Sequence, residues 1–269
     1  ARDTTERKIN EQVLKSTMLQ LERSNRELQD FASIASHDLQ EPLRAIQAFG
    51  DRLQSRHGSQ LDEQGHDYLS RVIRASDRMR SLIQDLLAYS RVTTKTLPFT
   101  TVELDTVTHA VLTDLSVRVE ESGGRVEVGE LPTLEADALQ MRQLLQNLIA
   151  NGLKFHRDGE PPLVKVYARE PDQEVPDESV AWTQLVVEDN GIGLDLKFAE
   201  RIFSPFERLH TKNKYAGTGI GLAICRKIVE RHGGTIVVES IPGQGSKFLV
   251  TLPVQQPEMA FEELAPHGV

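Results

Sequence analysis

The sequence predicts two parts in series: an all-α helical hairpin that pairs with a second copy as a four-helix bundle, and an α+β sandwich behind it. Three observations predict this. Residues 1–92 hold three glycines (Gly50, Gly58, Gly65) and one proline (Pro42), while the rest of the 269-residue chain holds the other fifteen glycines and eleven prolines. Helix interiors tolerate neither residue well, and mixed folds use both in their turns. A seven-residue apolar rhythm runs through the first part, and short apolar runs divided by glycine-rich turns fill the second.

In the first part, Leu14, Leu21, Leu28, Ala35, Pro42 and Phe49 take one seam position. Met18, Asn25, Ala32, Leu39, Ile46 and Leu53 take the other. The alternating steps of four and three are those of a coiled-coil seam, in which Asn25 trades stability for register. From residue 31 the stripe widens to include Phe31, Ile34 and Leu43, so this stretch meets more than one neighbouring helix. A break at His57–Leu61 precedes a second helix, from about Asp62 to Val92, with Leu69, Val72, Ile73, Met79, Leu82, Ile83, Leu86 and Leu87 on one face. One such hairpin cannot cover both its faces, whereas two copies can, which predicts a homodimer.

Residues 1–30 read as a signalling coiled-coil helix, 31–92 as the hairpin and 93–101 as a polar linker containing Pro98. The second domain, 102–253, reads as a helix (103–121), a strand pair around 125–136 and a helix (138–156). Strands follow at 163–169 and 182–188, then a helix (219–232) and strands at 235–240 and 246–252. Turns rather than regular crossovers divide the strands, so the sheet is mostly antiparallel with helices on one face. Glu170–Glu178 is acidic with two prolines and reads as an exposed loop, and residues 254–269 read as a flexible tail.

Lys plus Arg total 31 against 40 Asp plus Glu, a net charge of −9. That excess of negative charge argues against nucleic acid or an anionic membrane as the main partner. One cysteine, Cys225, excludes a disulfide framework and any multi-cysteine metal site. No apolar run is long enough to cross a bilayer, so the expectation is a cytoplasmic protein without direct membrane insertion. The start lacks an initiator Met and a signal-peptide core and reads as a piece of a longer chain.

His37 stands two residues from the seam positions Ala35 and Leu39, so helical phase turns it away from the axis. A core histidine would share the seam; a solvated surface histidine fits the same phase. A neutral imidazole is also a good phosphoryl acceptor. Asp38 can hold one ring nitrogen and leave the other to attack. Pro42 removes a helical donor and clashes with the Asp38 carbonyl, predicting a bend one turn after the histidine.

Four segments of the second part converge on an anion and a flat ring. Asn147, Asn151 and Lys154, spaced by four and three, share one helix face, which suits a hard cation plus a polyphosphate as well as it suits plain solvent. Glu188-Asp189-Asn190-Gly191-Ile192-Gly193 follows an apolar strand; a carboxylate there can accept from an exocyclic amine while the glycines admit a ring, or the run is an ordinary Asn-Gly turn. Gly217-Thr218-Gly219-Ile220-Gly221-Leu222 opens a helix and offers its N–H groups to phosphate, without the layout of a dinucleotide fold or a P-loop. Gly243–Ser246 reads equally as a turn or a ligand contact. Between the second and third segments, Phe203 and Phe206 read as core residues, and His210–Ala216 as a mobile lid.

In this order the segments resemble those of the sensor histidine kinases, over about residues 8–253. Ser36-His37-Asp38-Leu39-Gln40-Glu41-Pro42-Leu43 resembles their H box, Asn147–Phe155 the N box, Asp189–Gly193 the G1 box, Phe203–Phe206 the F box and Gly217–Leu222 the G2 box. The form of the H box and the short lid are most similar to kinases downstream of phytochrome-type or similar soluble sensory modules. The resemblance implies the ATP-binding fold shared with gyrase, Hsp90 and MutL for the second domain. It implies phosphorylation of His37 on Nε2 with Asp38 as orienting base, and Mg²⁺ at Asn151 beside Asn147. It implies further that Lys154 and Arg208 meet phosphate oxygens, that Asp189 reads adenine, and that Phe155, Gly191, Gly193, Gly217, Thr218, Gly219, Gly221 and Leu222 line the ATP pocket. The partners it implies are a second copy, a response-regulator receiver domain and an upstream sensor domain. Many relatives have Glu after the histidine and Thr or Asn four residues after it; Asp38 and Glu41 stand here, so the resemblance does not carry phosphatase activity over. Gly152 replaces a common alanine, at a helix-propensity cost of up to ~1 kcal/mol. Two other readings use the same residues. An ATP-driven clamp needs a glutamate for water in the N-box helix, and residues 140–156 have none. A degenerate docking module would not need Asn151, Lys154, Asp189 and Gly217–Gly221 intact.

Overall fold

The computed structural model describes residues 16–17, 36, 38–92, 98–172, 175, 180–208 and 217–256. His37, the seam from Leu14 to Ala35 and the segment 209–216 lie outside these residues, as does most of the 170–178 insert. The chain divides into two compact units, Ala1–Thr94 and Lys95–Val269.

The first unit is a helical hairpin. Helix α1 spans residues 38–57, a short 3₁₀ turn covers Gly58–Gln60, and α2 runs Glu63–Arg91. Asp62 starts α2 by accepting from the Gly65 N–H at 2.8 Å. The backbone stays helical across Pro42, so the expected bend is not a break. Leu43 and Ile83 are buried between the helices. Gly50 sits so close that a methyl group there would meet Ile73 Cγ1 at 2.8 Å. Gln47 bridges the helices by donating to Asp77 at 2.7 Å and accepting from Arg80 at 2.6 Å. Leu39, Ile46, Phe49 and Leu53 of α1, and Tyr68, Val72, Met79 and Leu86 of α2, stay exposed on the single chain.

The second unit comprises β1 (Thr100–Glu103), α3 (Leu104–Ser122), β2 (Arg125–Val128), β3 (Thr133–Ala136), α4 (Ala138–Lys154), β4 (Leu163–Arg169), β5 (Trp182–Asp189), α5 (Gly221–Arg231), β6 (Thr235–Ile241) and β7 (Gly245–Pro253). Five strands form a sheet in the order β2-β4-β5-β7-β6, antiparallel except for the β2–β4 pair. This is the expected α+β sandwich, with one correction to pairing. The stretch 125–136 is not a strand pair: β2 joins β4 in parallel, and β3 pairs with β1. Arg125 and Val126 lie beside Leu163 and Val164, whereas β3 carries Leu134 and Ala136 into a separate two-stranded layer where they are buried. β1 overlaps the end of the expected linker. The start of the expected tail is also engaged: Val254 N–H donates to Ala181 O at 2.7 Å, and Val254 O accepts from Glu135 N–H at 2.9 Å. The second of those bonds satisfies the Glu135 N–H of β3, and the first ties the chain to the residue before β5.

Strand alternation sets the core. Val164, Val166, Leu185, Val187, Phe248, Val250 and Leu252 fall on one face of the sheet, as their register pairs them across strands. They are buried together with Leu144, Leu145, Leu148 and Ile149 of α4 and Ile224 and Ile228 of α5. Each such side chain contributes about 1.5–3 kcal/mol by leaving water. The opposite face carries the row Lys165, Glu188, Lys247 and Glu239, which alternates in sign across four strands.

Candidate functional site

α4 is the spine of the site. Asp137 caps it by accepting from Leu139 N–H (3.1 Å) and Gln140 N–H (3.2 Å), and the leucine-rich face buries against the sheet and α5. That burial fixes the helix's rotation and leaves Asn147, Asn151 and Lys154 half-buried on another face. Asn147 Nδ2 donates to the Gly221 carbonyl at 3.3 Å, tying α4 to the start of α5. Lys154 Nζ lies 4.1 Å above the Phe155 ring centroid. A methyl group on Gly217 would stand 2.7 Å from that ammonium, so a side chain there would push the flexible end of the lysine aside. Arg208 donates to Gly217 O at 2.8 Å and brings a second cation. Burial, then the charges of Arg208 and Arg118, lower the Lys154 pKa to about 8. Arg118 belongs to α3, and sequence reasoning missed it because nothing in a helix 36 positions earlier marks it as a neighbour of Lys154.

Asp189 takes the last position of the helix-facing row Leu185, Val187, Asp189. Strand alternation thus carries a carboxylate to the end of an apolar row. Its neighbour on α4 is Gly152, where a methyl group would meet Val164 Cγ2 at 2.7 Å and Asp189 Cβ at 3.3 Å; the residue that weakens the helix lets it approach the sheet. Burial raises the Asp189 pKa to about 6, against the lowering effect of the N–H groups of Gly191 and Ser246. The Gly191 N–H donates to Asp189 Oδ1 at 2.8 Å, and Ile192 N–H donates to Phe155 O at 2.9 Å, so the loop after β5 is sewn to the end of α4. A side chain on Gly191 would put Cβ 2.3 Å from Phe155 O. Asn190 anchors the same loop through its side-chain oxygen, which accepts from Leu163 N–H at 2.8 Å. Gly193 packs on the end of β6, where a Cβ would stand 2.2 Å from Ile241 O.

The helix α5 opens after Thr218, Gly219 and Ile220 with no side chain capping its first turn, so backbone N–H groups head the helix. Gly219 O accepts from Phe206 N–H at 3.0 Å. Leu222 is half-buried in that first turn.

The structure therefore brings Asn147, Lys154, Phe155, Asp189, Gly191, Arg208, Gly217, Gly219 and Gly221 into one linked neighbourhood around the C-terminal half of α4, with Asn151 on the same helical face. Asp38 is exposed at the start of the described part of α1, in the other unit. One expectation changes, and one of two open readings is met. Phe203 is buried as expected, but Phe206 is 58% exposed with φ +66°, because the chain must turn there to hand its N–H to Gly219. Gly243–Ser246 is the β6–β7 turn, and Gly243 N–H donates to Ile192 O at 2.7 Å, so it braces the loop after β5. Among the described residues no group of three His, Cys, Asp or Glu side chains converges as a metal cage. Carboxamide oxygens such as that of Asn151 fit Mg²⁺ only where phosphate and water supply most of its ligands. Also among the described residues, no helix is long and apolar enough to cross a membrane.

The fold is thus a helical hairpin followed by an α+β sandwich, with a glycine-headed helix beside an amide-and-lysine face. Residues 136–256 match the histidine kinase-, DNA gyrase B- and HSP90-like ATPase family, and residues 27–95 match the His kinase A phospho-acceptor domain. The chain belongs to the sensor histidine kinases. It is 44% identical over 234 residues to the phytochrome-like protein Cph1 of Synechocystis sp., covering 87% of this chain and 30% of that protein. It thus spans about 30% of the length of such curated relatives. The crystal structure of full-length ShkA in complex with AMPPNP aligns with a TM-score of 0.63 at 25% identity, over 85% of this chain and 46% of that one. Histidine kinase ThkA in complex with response regulator TrrA shares the fold, with a TM-score of 0.55 at 24% identity, over 87% of this chain and 65% of that one.

Proposed function

We propose that this chain is the phosphotransfer core of a two-component system, which phosphorylates His37 from Mg-ATP and passes the phosphoryl group to an aspartate of a receiver domain. The observation that carries the reading is the face of α4 that sets Asn147 against Gly221 and Lys154 against Gly217, with Asp189 packed beside Gly152 of the same helix. Lys154 and Arg208 face the phosphates, Asp189 accepts from the adenine amine, and the N–H groups at the start of α5 complete the anion cradle. Asn151 holds Mg²⁺ with Asn147 beside it; the ion neutralises phosphate charge when bound. Phe155, Gly191, Gly193, Gly217, Thr218, Gly219, Gly221 and Leu222 form the walls.

The His37 Nε2 lone pair attacks the γ-phosphorus in line, the bond to the β–γ bridging oxygen breaks, and ADP leaves with that electron pair. Asp38 holds the Nδ1 proton and orients the ring. Little covalent work is left to the protein, so positioning and charge neutralisation supply most of the rate.

Residues 1–30 bring the signal from an upstream sensor, 31–92 form the dimerisation and phosphoacceptor hairpin, 93–101 the linker, 102–253 the catalytic domain and 254–269 the tail. The apolar faces of α1 and α2 that one chain leaves exposed support a homodimer. The setting is cytoplasmic, with no nucleic-acid partner.

Incubation with γ-labelled ATP tests the core claim. Wild type acquires an acid-labile label and His37→Gln does not; label retained in that variant rejects the assignment. An unlabelled Asn151→Ala variant that no longer binds Mg-ATP completes the expected pattern.

A further inference from the structure

The two helices that carry the pocket are joined at both ends, and only one end belongs to the pocket. As positions fall along α4 their partners rise along α5: Asn147 with Gly221 at 3.3 Å, Leu144 O with Cys225 Sγ at 3.9 Å, and Asp137 with Arg231 at 3.0 Å. The helices are therefore antiparallel in a single register.

At the far end lies His232, fully buried at 0% exposure. Asp137 N–H reaches its Nε2 at 3.1 Å, and its Nδ1 lies 2.8 Å from Ile228 O. A backbone N–H only donates, so Nε2 carries the lone pair. A carbonyl only accepts, so Nδ1 carries the proton. The two contacts together assign a neutral ring in one tautomer. Phe99, at the entrance to the catalytic unit, tilts against the ring at a centroid distance of 4.8 Å, and Arg231 lies 5.2 Å over Phe99. Gln256 donates to the His232 carbonyl at 3.4 Å and to Glu135 O at 3.1 Å. The charged groups gathered here are Asp137 on α4, Arg231 on α5 and Glu135 on β3. Burial first, and then Arg231, lower the imidazole's pKa, opposed by the Ile228 carbonyl and Asp137.

We propose that His232 is a positioning residue for nucleotide binding: it locks α5 onto α4 and so holds Gly221 against Asn147 and Gly217 against Lys154. The inference rests on the reading of that pocket as an ATP site. A slip of one residue moves a helix by about 1.5 Å along its axis, enough to break the Asn147–Gly221 bond. A proton on Nε2 would set a donor against the Asp137 N–H, beside the Arg231 guanidinium, and release the lock. Glutamine can place an acceptor near the Nε2 position and does not titrate; leucine fills the space without polar contacts.

The test is titration of the full chain with Mg-ATP at about pH 8 and about pH 5.5, in wild type, His232→Gln and His232→Leu, beside their melting curves. Asp189 and Lys154 titrate alike in all three, so the differences between variants isolate His232. The expected result is near-equal affinity of wild type and His232→Gln at about pH 8, with wild type losing up to about tenfold more than His232→Gln at about pH 5.5, roughly one unit below the ordinary imidazole value at which a released ring takes up its proton. His232→Leu binds about tenfold more weakly at about pH 8, and His232→Gln rescues it. If wild type and His232→Gln lose affinity in parallel, the inference is overturned, and this comparison stands even where His232→Leu fails to fold. Equal affinity of a folded His232→Leu overturns it too, by reducing the ring's role to stability alone. A wild-type chain that takes up no Mg-ATP at about pH 8 rejects the ATP reading itself.

Discussion

Replacing Asp189 by Asn should make the catalytic domain more stable and a poorer nucleotide binder. The carboxyl ends an apolar strand row against α4, and burial moves its pKa from 3.8 to about 6. At about 1.4 kcal/mol per unit, keeping it ionised in the fold costs about 3 kcal/mol at pH 8. Asparagine removes the charge and keeps an oxygen for the Gly191 N–H, so the variant should gain about 2 kcal/mol there. The sign follows from linkage. The folded pKa lies above the unfolded one, so the cost of ionisation is absent below about pH 4, grows as pH rises between the two values, and is complete above about pH 6. Urea unfolding of both proteins at several pH values between about 4 and 8 reads this directly. The gap should be widest at pH 8 and close as pH falls. A variant no more stable than wild type at pH 8, or a gap that ignores pH, refutes the burial argument. Mg-ATP affinity should move the other way, by about ten- to a hundredfold, since the anion proposed to accept from the adenine amine is gone. Unchanged affinity would remove Asp189 from the adenine contact.

Two further outcomes follow from the same geometry. Lys154 loses its proton near pH 8, so Mg-ATP affinity should fall as pH climbs from about 7 to about 9, and Lys154→Met should bind more weakly and show a flat profile there; a slope that survives in Lys154→Met assigns the titration elsewhere. Phe49 is 68% exposed on the apolar face of α1, so Phe49→Glu should halve the mass measured by light scattering, and a dimer that persists contradicts the proposed bundle face.

The heptad rhythm and the scarcity of glycine made the hairpin legible, because a helix with one continuous apolar face must carry that period in its sequence. α4 was legible for the same reason: its leucines set the rotation, and the rotation presents Asn147, Asn151 and Lys154 together. Pairing of β2, β3 and β1 was not, since each has only four residues and short strands hold too little pattern to name their partners. Phe206 was misread because an aromatic ring looks like core material, while its backbone N–H, bound to Gly219 O, decides where it goes.

Gly152 shows why local and global preferences have to be weighed together. Helix propensity alone counts it as a weakness, yet the added methyl of alanine would press on Val164 at 2.7 Å. The helix gives up up to ~1 kcal/mol of propensity and gains a closer approach to the sheet, which sets how near Lys154 and Phe155 stand to Asp189. His232 makes the complementary point. It has no motif around it that names a ligand, and its phase within the last turn of α5 is that of a core residue. Its importance arises from partners 95 positions away in the chain, at Asp137, so only the antiparallel packing of two helices reveals it. A pocket assembled from the C-terminal half of one helix and the start of another depends on whatever fixes their register, and the contacts of Asp137 with His232 and Arg231 at the far end hold that register together with Asn147–Gly221.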